Sequence, residues 1–167
     1  MMMRPLIALL VALGGPPDSS APARGSVQDE PVIVTSLTTY AAIAREIVGD
    51  RGEVSAIADG AENPHFVMPR PSLILQLRKA DMFVVTGLDL ELWVPALTDR
   101  ANNAEVRPGG RGYVRAVDGI ALLDVPTSVS RAGGDIHVFG NPHIWTSPVN
   151  AVRIGRNILA GLKRISP

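Results

Sequence analysis

The tripeptide Asn-Pro-His occurs twice, at Asn63-Pro64-His65 and at Asn141-Pro142-His143, and the only other histidine, His137, lies six residues before the second imidazole. Every imidazole of the chain thus falls in or beside one repeated motif. Neutral imidazole is the commonest side-chain metal ligand, and a preceding proline stiffens the backbone that must aim it. The pattern points to a metal site with His65 and His143 as ligands. Glu62 and His137 are the nearby groups that can complete the shell. A tight loop at Gly140 would bring the rings of His137 and His143 to one ion; the alternative is that His137 is a hydrogen-bonded loop residue.

Cysteine is absent. That removes disulfides, thiolate metal sites, a cysteine nucleophile and attachment as a cysteine-lipidated lipoprotein, so any metal must be held by nitrogen and oxygen. Zn²⁺ is satisfied by four ligands whereas Mn²⁺ accepts more oxygen and higher coordination, and two imidazoles do not separate them.

Other chemistry has less support. Asp89 and Glu91 can be read as a catalytic pair, but the first turn of a helix is itself a favoured place for carboxylates. Ser36, Thr38 and Thr39 lack a nucleophile elbow, and there is neither a phosphate loop nor a dinucleotide glycine fingerprint. A metallohydrolase would need Glu62 as its general base, and no HExxH helix accompanies it. The expectation is a binding protein and not an enzyme. The 16 basic and 16 acidic residues cancel without a Lys/Arg run, which leaves no electrostatic footprint for nucleic acid.

Strands and helices must position these histidines. At 167 residues, 46% of them hydrophobic, the chain suffices for one ordinary domain with many tight connections. Pro31–Thr35 reads as a buried strand, and Tyr40, Ile43, Ala44, Ile47 and Val48 recur on one helix face, with Thr38 or Thr39 as the cap and Gly49 at the end. Glu53–Ile57 reads as a second strand, followed by the loop that carries His65. Pro71 opens a helix with Leu73, Ile74 and Leu77 on one side. Met82–Val85 is a third, fully buried strand, Leu88–Leu97 a further helix and Gly119–Leu123 a fourth strand. Asp124–Gly134 reads as a loop. Thr146-Ser147-Pro148 starts a last helix whose apolar stripe is Val152, Gly155, Ile158, Leu159 and Leu162, opposite Arg153, Arg156 and Lys163.

This alternation predicts an α/β fold: a four-stranded parallel sheet flanked by helices on both faces. Ligands of such sheets collect outside the carboxyl ends of the strands, where His65 falls.

The first thirty residues read differently. Arg4, the apolar run Pro5–Leu13 and the small-x-small site Ala21-Pro22-Ala23 have the layout of a secretory signal, expected over residues 1–23 with a linker over 24–30. The apolar run is too short to span a membrane, and no second one follows. Export to a periplasm-like space is the expectation.

Several motifs in order carry a resemblance: Gly60-Ala-Glu-Asn-Pro-His65 with Pro71-Ser72, then Ala80-Asp81 through Thr86-Gly87, then Leu90-Glu91-Leu-Trp93, then Gly140-Asn-Pro-His-Ile-Trp145 and Pro148. From about Pro31 onward the sequence resembles the zinc- and manganese-binding solute receptors of ABC importers. The resemblance implies a two-lobed periplasmic receptor that captures Zn²⁺ or Mn²⁺ for an importer permease. It implies that His65 and His143 are ligands from the first lobe, with another histidine and a carboxylate from the second.

In these terms residues 31–148 form the metal-binding lobe and 149–167 begin the joining helix. The second lobe and its ligands are then expected to be missing from the chain. A lobe of this kind should bind metal weakly as a monomer, more tightly if two chains associate through the last helix and share an ion, and it then need have no transport function of its own. Two departures stand out. Zinc members of the family often carry a histidine-rich loop ahead of the second ligand, yet Asp124–Asp135 contains no histidine. Arg70 also stands where a helix-capping hydroxyl or acid is expected.

Overall fold

The structure, a computed structural model, describes residues 30–128 and 137–166. The expected signal over residues 1–23 and nearly all of the linker lie outside the described residues. Four short strands, β1 (Val32–Thr35), β2 (Glu53–Ala56), β3 (Met82–Val85) and β4 (Tyr113–Arg115), form one sheet in the order β2-β1-β3-β4. Every pair is parallel. Parallel neighbours require crossovers, supplied by α1 (Thr38–Val48), α2 (Pro71–Arg78) and α3 (Val94–Ala101), with α4 (Pro148–Ile165) closing the layer.

The chain moves one way from β1 to β2 and the other way from β2 to β3 and β4. With right-handed crossovers, that reversal sends α1 to one face and α2 and α3 to the other. The contacts agree: α1 packs on α4, and α2 on α3. Between the layers lie Ile33, Val34, Tyr40, Leu77, Met82, Phe83, Val84, Val85 and Leu97, all fully enclosed. Burying each large aliphatic side chain stabilises the fold by about 1.5–3 kcal/mol. The parallel, helix-covered α/β lobe expected from the sequence is the fold observed.

The fourth strand is not where the apolar run suggested. β4 is Tyr113–Arg115, and Gly119–Leu123 forms no ladder. Val114 pairs in register with Val84, while the Phe83 and Ala116 amides continue the ladder to the Gly112 and Val85 carbonyls at 2.9 and 2.7 Å. An edge strand needs few apolar residues, so a single valine suffices. Gly119 then turns the chain at φ +75°, and Ile120 and Leu122 pack partly against the core from a loop.

The third helix begins at Val94 rather than Leu88, because Pro95 fits only a first turn. Residues 88–93 form a loop. In α1 the cap position belongs to Leu37, with no side-chain hydrogen bond, so neither Thr38 nor Thr39 caps it. Ser147 and Arg70 occupy the caps of α4 and α2, also without side-chain bonds.

The buried stripe of α4 is Ile154, Ile158 and Gly161, whereas Val152 and Leu159 are exposed. Gly161 explains the rotation. A Cβ there would overlap Val114 Cγ2 and lie 2.9 Å from Met82 Sδ, so the helix sits on the sheet through its barest position.

Candidate metal centre

Both Asn-Pro-His copies fold into the same local device. The Asn63 Oδ1 accepts the His65 amide at 3.0 Å, and the Asn141 Oδ1 accepts the His143 amide at 3.1 Å. Each is an Asx turn closed over a proline, in which the asparagine mimics a backbone carbonyl two residues back and fixes where the histidine Cα points. Single 3₁₀ turns follow, Pro64–Phe66 in one case and Ile144–Thr146 in the other. The loop that carries His65 follows β2, and α4 begins two residues after the second turn. A further turn, in which the Gly140 amide donates to the His137 carbonyl at 3.1 Å, folds His137 back toward His143. Gly140 has φ +108°, a conformation that a side chain disfavours.

The three imidazoles converge. Ring centroids are 5.2 Å apart for His65 and His137, 5.8 Å for His65 and His143, and 5.7 Å for His137 and His143, a nearly equilateral triangle. One ring nitrogen from each lies within 4.8 Å of the others, and all three residues are half-buried. A tetrahedral ion with Zn–N near 2.0–2.1 Å wants nitrogens about 3.3 Å apart, so the rings need close by no more than about 1.5 Å. Among the described residues no other group of histidine and carboxylate donors gathers in this way.

Hydrogen bonds fix which nitrogen faces the centre. Asn141 Oδ1 already accepts the His143 amide, so it is an oxygen, and the His143 Nδ1 at 2.9 Å must donate to it. His137 Nδ1 lies 3.1 Å from Asp89 Oδ1, an acceptor, and so carries its proton there. Both rings then keep Nε2 as the unprotonated ligand atom. Burial holds the His143 imidazolium below its ordinary range, with the nearby His137 and His65 adding to the effect. A ring that stays neutral is ready to ligate.

Aromatic residues back the site. The Trp145 ring lies 5.3 Å from that of His143 and meets Tyr40 edge-on at 6.2 Å. Trp93 Nε1 donates to the Pro64 carbonyl at 2.8 Å. Both indoles are therefore packing residues, as read from the sequence, and both also brace a ligand loop.

Glu62 is not part of the group. Its Oε1 pairs with Arg70 at 3.6 Å, so the carboxylate expected as a fourth ligand, or as a hydrolytic base, is engaged with the start of α2 instead. Asp89 and Glu91 are neither a pair nor a helix's first turn. Asp89 serves the loop of His137. Glu91 is buried, where Oε1 accepts Ser36 Oγ at 2.6 Å and the Thr86 amide at 2.8 Å. Burial pushes its carboxyl up against the opposing effect of those bonds. The role of Asp89 carries no sequence signal, because it bonds a histidine 48 residues away, whereas Asn141 stands in the repeated tripeptide and bonds the histidine two residues on.

Comparisons with known proteins give the family. Residues 33–167 match the family model described as ZnuA, zinc-uptake complex component A, periplasmic. The chain belongs to the ZnuA family. It is 29% identical over 163 residues to the high-affinity zinc uptake system protein ZnuA of Bacillus subtilis, covering 95% of this chain and 49% of that protein. It is 28% identical over 159 residues to the manganese ABC transporter substrate-binding lipoprotein PsaA of Streptococcus pneumoniae, covering 92% and 48%. Among solved structures, the metal-dependent lipoprotein YcdH of Bacillus subtilis superposes with a TM-score of 0.63 at 28% identity, over 82% of this chain and 45% of that one. The chain thus spans about half the length of these relatives. One relative is named for zinc and another for manganese, so likeness alone does not choose the ion. Two are named lipoproteins, whereas these 167 residues include no cysteine. No described helix is long and apolar enough to cross a membrane.

Proposed function

We propose that this chain is the metal-capturing lobe of an extracytoplasmic receptor that binds Zn²⁺ or Mn²⁺ and presents it to an ABC-type importer. The observation that carries this reading is the convergence of His65, His137 and His143, three imidazoles from two loops at one point above the sheet. Three nitrogens leave at least one coordination position for water or for a further protein group, from the same receptor or from a second copy of the chain. A receptor must release its ion to the permease, and an incompletely enclosed ion suits that task. The signal-like Arg4 to Ala23 supports export to the periplasm. The reaction is capture and hand-over, and no chemical step is assigned to the site.

Calorimetric titration of the purified chain with Zn²⁺ and Mn²⁺ tests the reading. One ion should bind per chain or per pair of chains, and His65→Ala or His143→Ala should weaken uptake at least tenfold. Equal affinities in wild type and both variants would refute it.

A further inference from the structure

We propose that Asp89 is a positioning residue that holds His137 in the site as a third nitrogen ligand, so that this lobe presents a three-imidazole face favouring Zn²⁺ over Mn²⁺. The inference rests on the metal-receptor reading and goes beyond it, because it assigns a role to a loop histidine and to a carboxylate that coordinates nothing.

Asp89 uses both oxygens on the other loop. Oδ1 meets His137 Nδ1 at 3.1 Å, and Oδ2 accepts the Val138 amide at 2.9 Å. One carboxylate thereby grips the ring and the backbone next to it, across 48 residues of sequence. The pair is sheltered, with 22% of the His137 side chain and 14% of the Asp89 side chain exposed. A surface ion pair would leave the imidazole free to swing. This two-point hold fixes its tautomer and direction, with Nε2 toward His65 and His143. Carboxylates that orient ligating imidazoles in this way also raise their basicity, and losing one commonly costs about 10–100-fold in metal affinity.

Asp89 is not itself among the donors that converge, so it acts through the ring. Its effect on the ion follows from ligand chemistry. A third imidazole adds a borderline-soft nitrogen, which suits Zn²⁺, whereas Mn²⁺ prefers carboxylate, carbonyl and water oxygens. Asp89 therefore influences which metal the lobe retains.

The test is a competition titration with a chromophoric chelator, in Zn²⁺ and separately in Mn²⁺, on wild type, Asp89→Ala, Asp89→Asn, His137→Ala and the Asp89→Ala/His137→Ala double variant. Asp89→Ala should weaken Zn²⁺ binding about 10–100-fold and Mn²⁺ binding far less. Asp89→Asn, which retains a single acceptor oxygen, should fall between Asp89→Ala and wild type. The double variant should be no weaker than His137→Ala alone, because Asp89 has no other route to the ion. Long-range ¹H–¹⁵N spectra of the metal-free chain should show His137 protonated on Nδ1 in wild type and redistributed in Asp89→Ala, a change that loss of stability alone would not produce. If Asp89→Ala matches wild type in Zn²⁺ affinity while His65→Ala does not bind, the positioning role is refuted and the receptor reading stands. If wild type takes up neither ion, both fail.

Discussion

The Trp93 indole donates to the carbonyl of Pro64, 29 residues earlier, and so ties the loop after β3 to the backbone beside His65. The loop from Gly60 to Met68 has little else to hold it. Phe66 and Met68 are exposed, and within the loop Val67 is the residue enclosed by the core. Trp93→Phe keeps the ring packing and removes a bond worth about 0.5–1.5 kcal/mol. Metal affinity should drop severalfold, and amide exchange of residues 61–68 should accelerate. Unchanged exchange in that segment would show that the indole does not brace it.

The two motifs predict different penalties for the same substitution. Asn63 only closes its turn, whereas Asn141 also accepts from the His143 ring. Asn141→Ala should therefore weaken zinc binding about tenfold or more, the lower range for a lost ring partner. Asn63→Ala should cost less, with the loss confined to turn stability. Equal losses in a direct titration would mean that the ring contact contributes nothing.

The stability of the metal-free chain should fall on acidification through His143. Burial depresses its folded pKa below the ordinary 6.5. Between that folded value and 6.5 the unfolded chain binds more protons, so stability rises with pH across the window and is lost as pH drops below about 6.5. The difference in melting temperature between wild type and His143→Phe should shift against wild type over that interval. Metal uptake should weaken over the same range, as protons compete for the ligands. A difference that is flat from pH 7 to 5 would contradict the assignment.

Glu91 contributes with the opposite sign. Its folded pKa lies above the ordinary 4.5, so the native state holds the proton more tightly than the unfolded chain. Its contribution is fully present below about 4.5 and is lost as pH rises through the folded value. Glu91→Gln should remove this slope while its amide oxygen keeps an acceptor for Ser36 Oγ and the Thr86 amide, which both reach Oε1. Glu91→Ala strands Ser36 Oγ and the Thr86 amide and should cost about 1–3 kcal/mol for each buried group left unpaired. Urea unfolding at pH 5 and pH 7.5 resolves the two variants.

What the sequence made legible follows from how local each determinant is. β1, α1, α2 and β3 stand within a residue or two of expectation, since periodicity and the proline at Pro71 mark them from inside. β4 escapes the pattern because an edge strand carried by Val114 has none, while the loop residues Ile120 and Leu122 imitate one. In the site, the repeated tripeptide exposed His65 and His143. His137 could be read either way, because its place depends on a turn at Gly140 and on a carboxylate 48 residues away. Glu62 is eligible from its nearness in sequence to His65, yet in space its carboxylate pairs with Arg70. Asp89 falls in the expected helix Leu88–Leu97, but the helix begins only at Val94.

Each Asx turn closes within three residues through its own asparagine side chain, while Trp93 holds the first loop and Asp124 the second from outside. The shape of each turn thus belongs to a short peptide, whereas its seating in the site belongs to the fold. The same tripeptide grafted at the loop ends of an unrelated parallel sheet should close the same turn, and a transplanted ion trap would need the outside braces carried over with it.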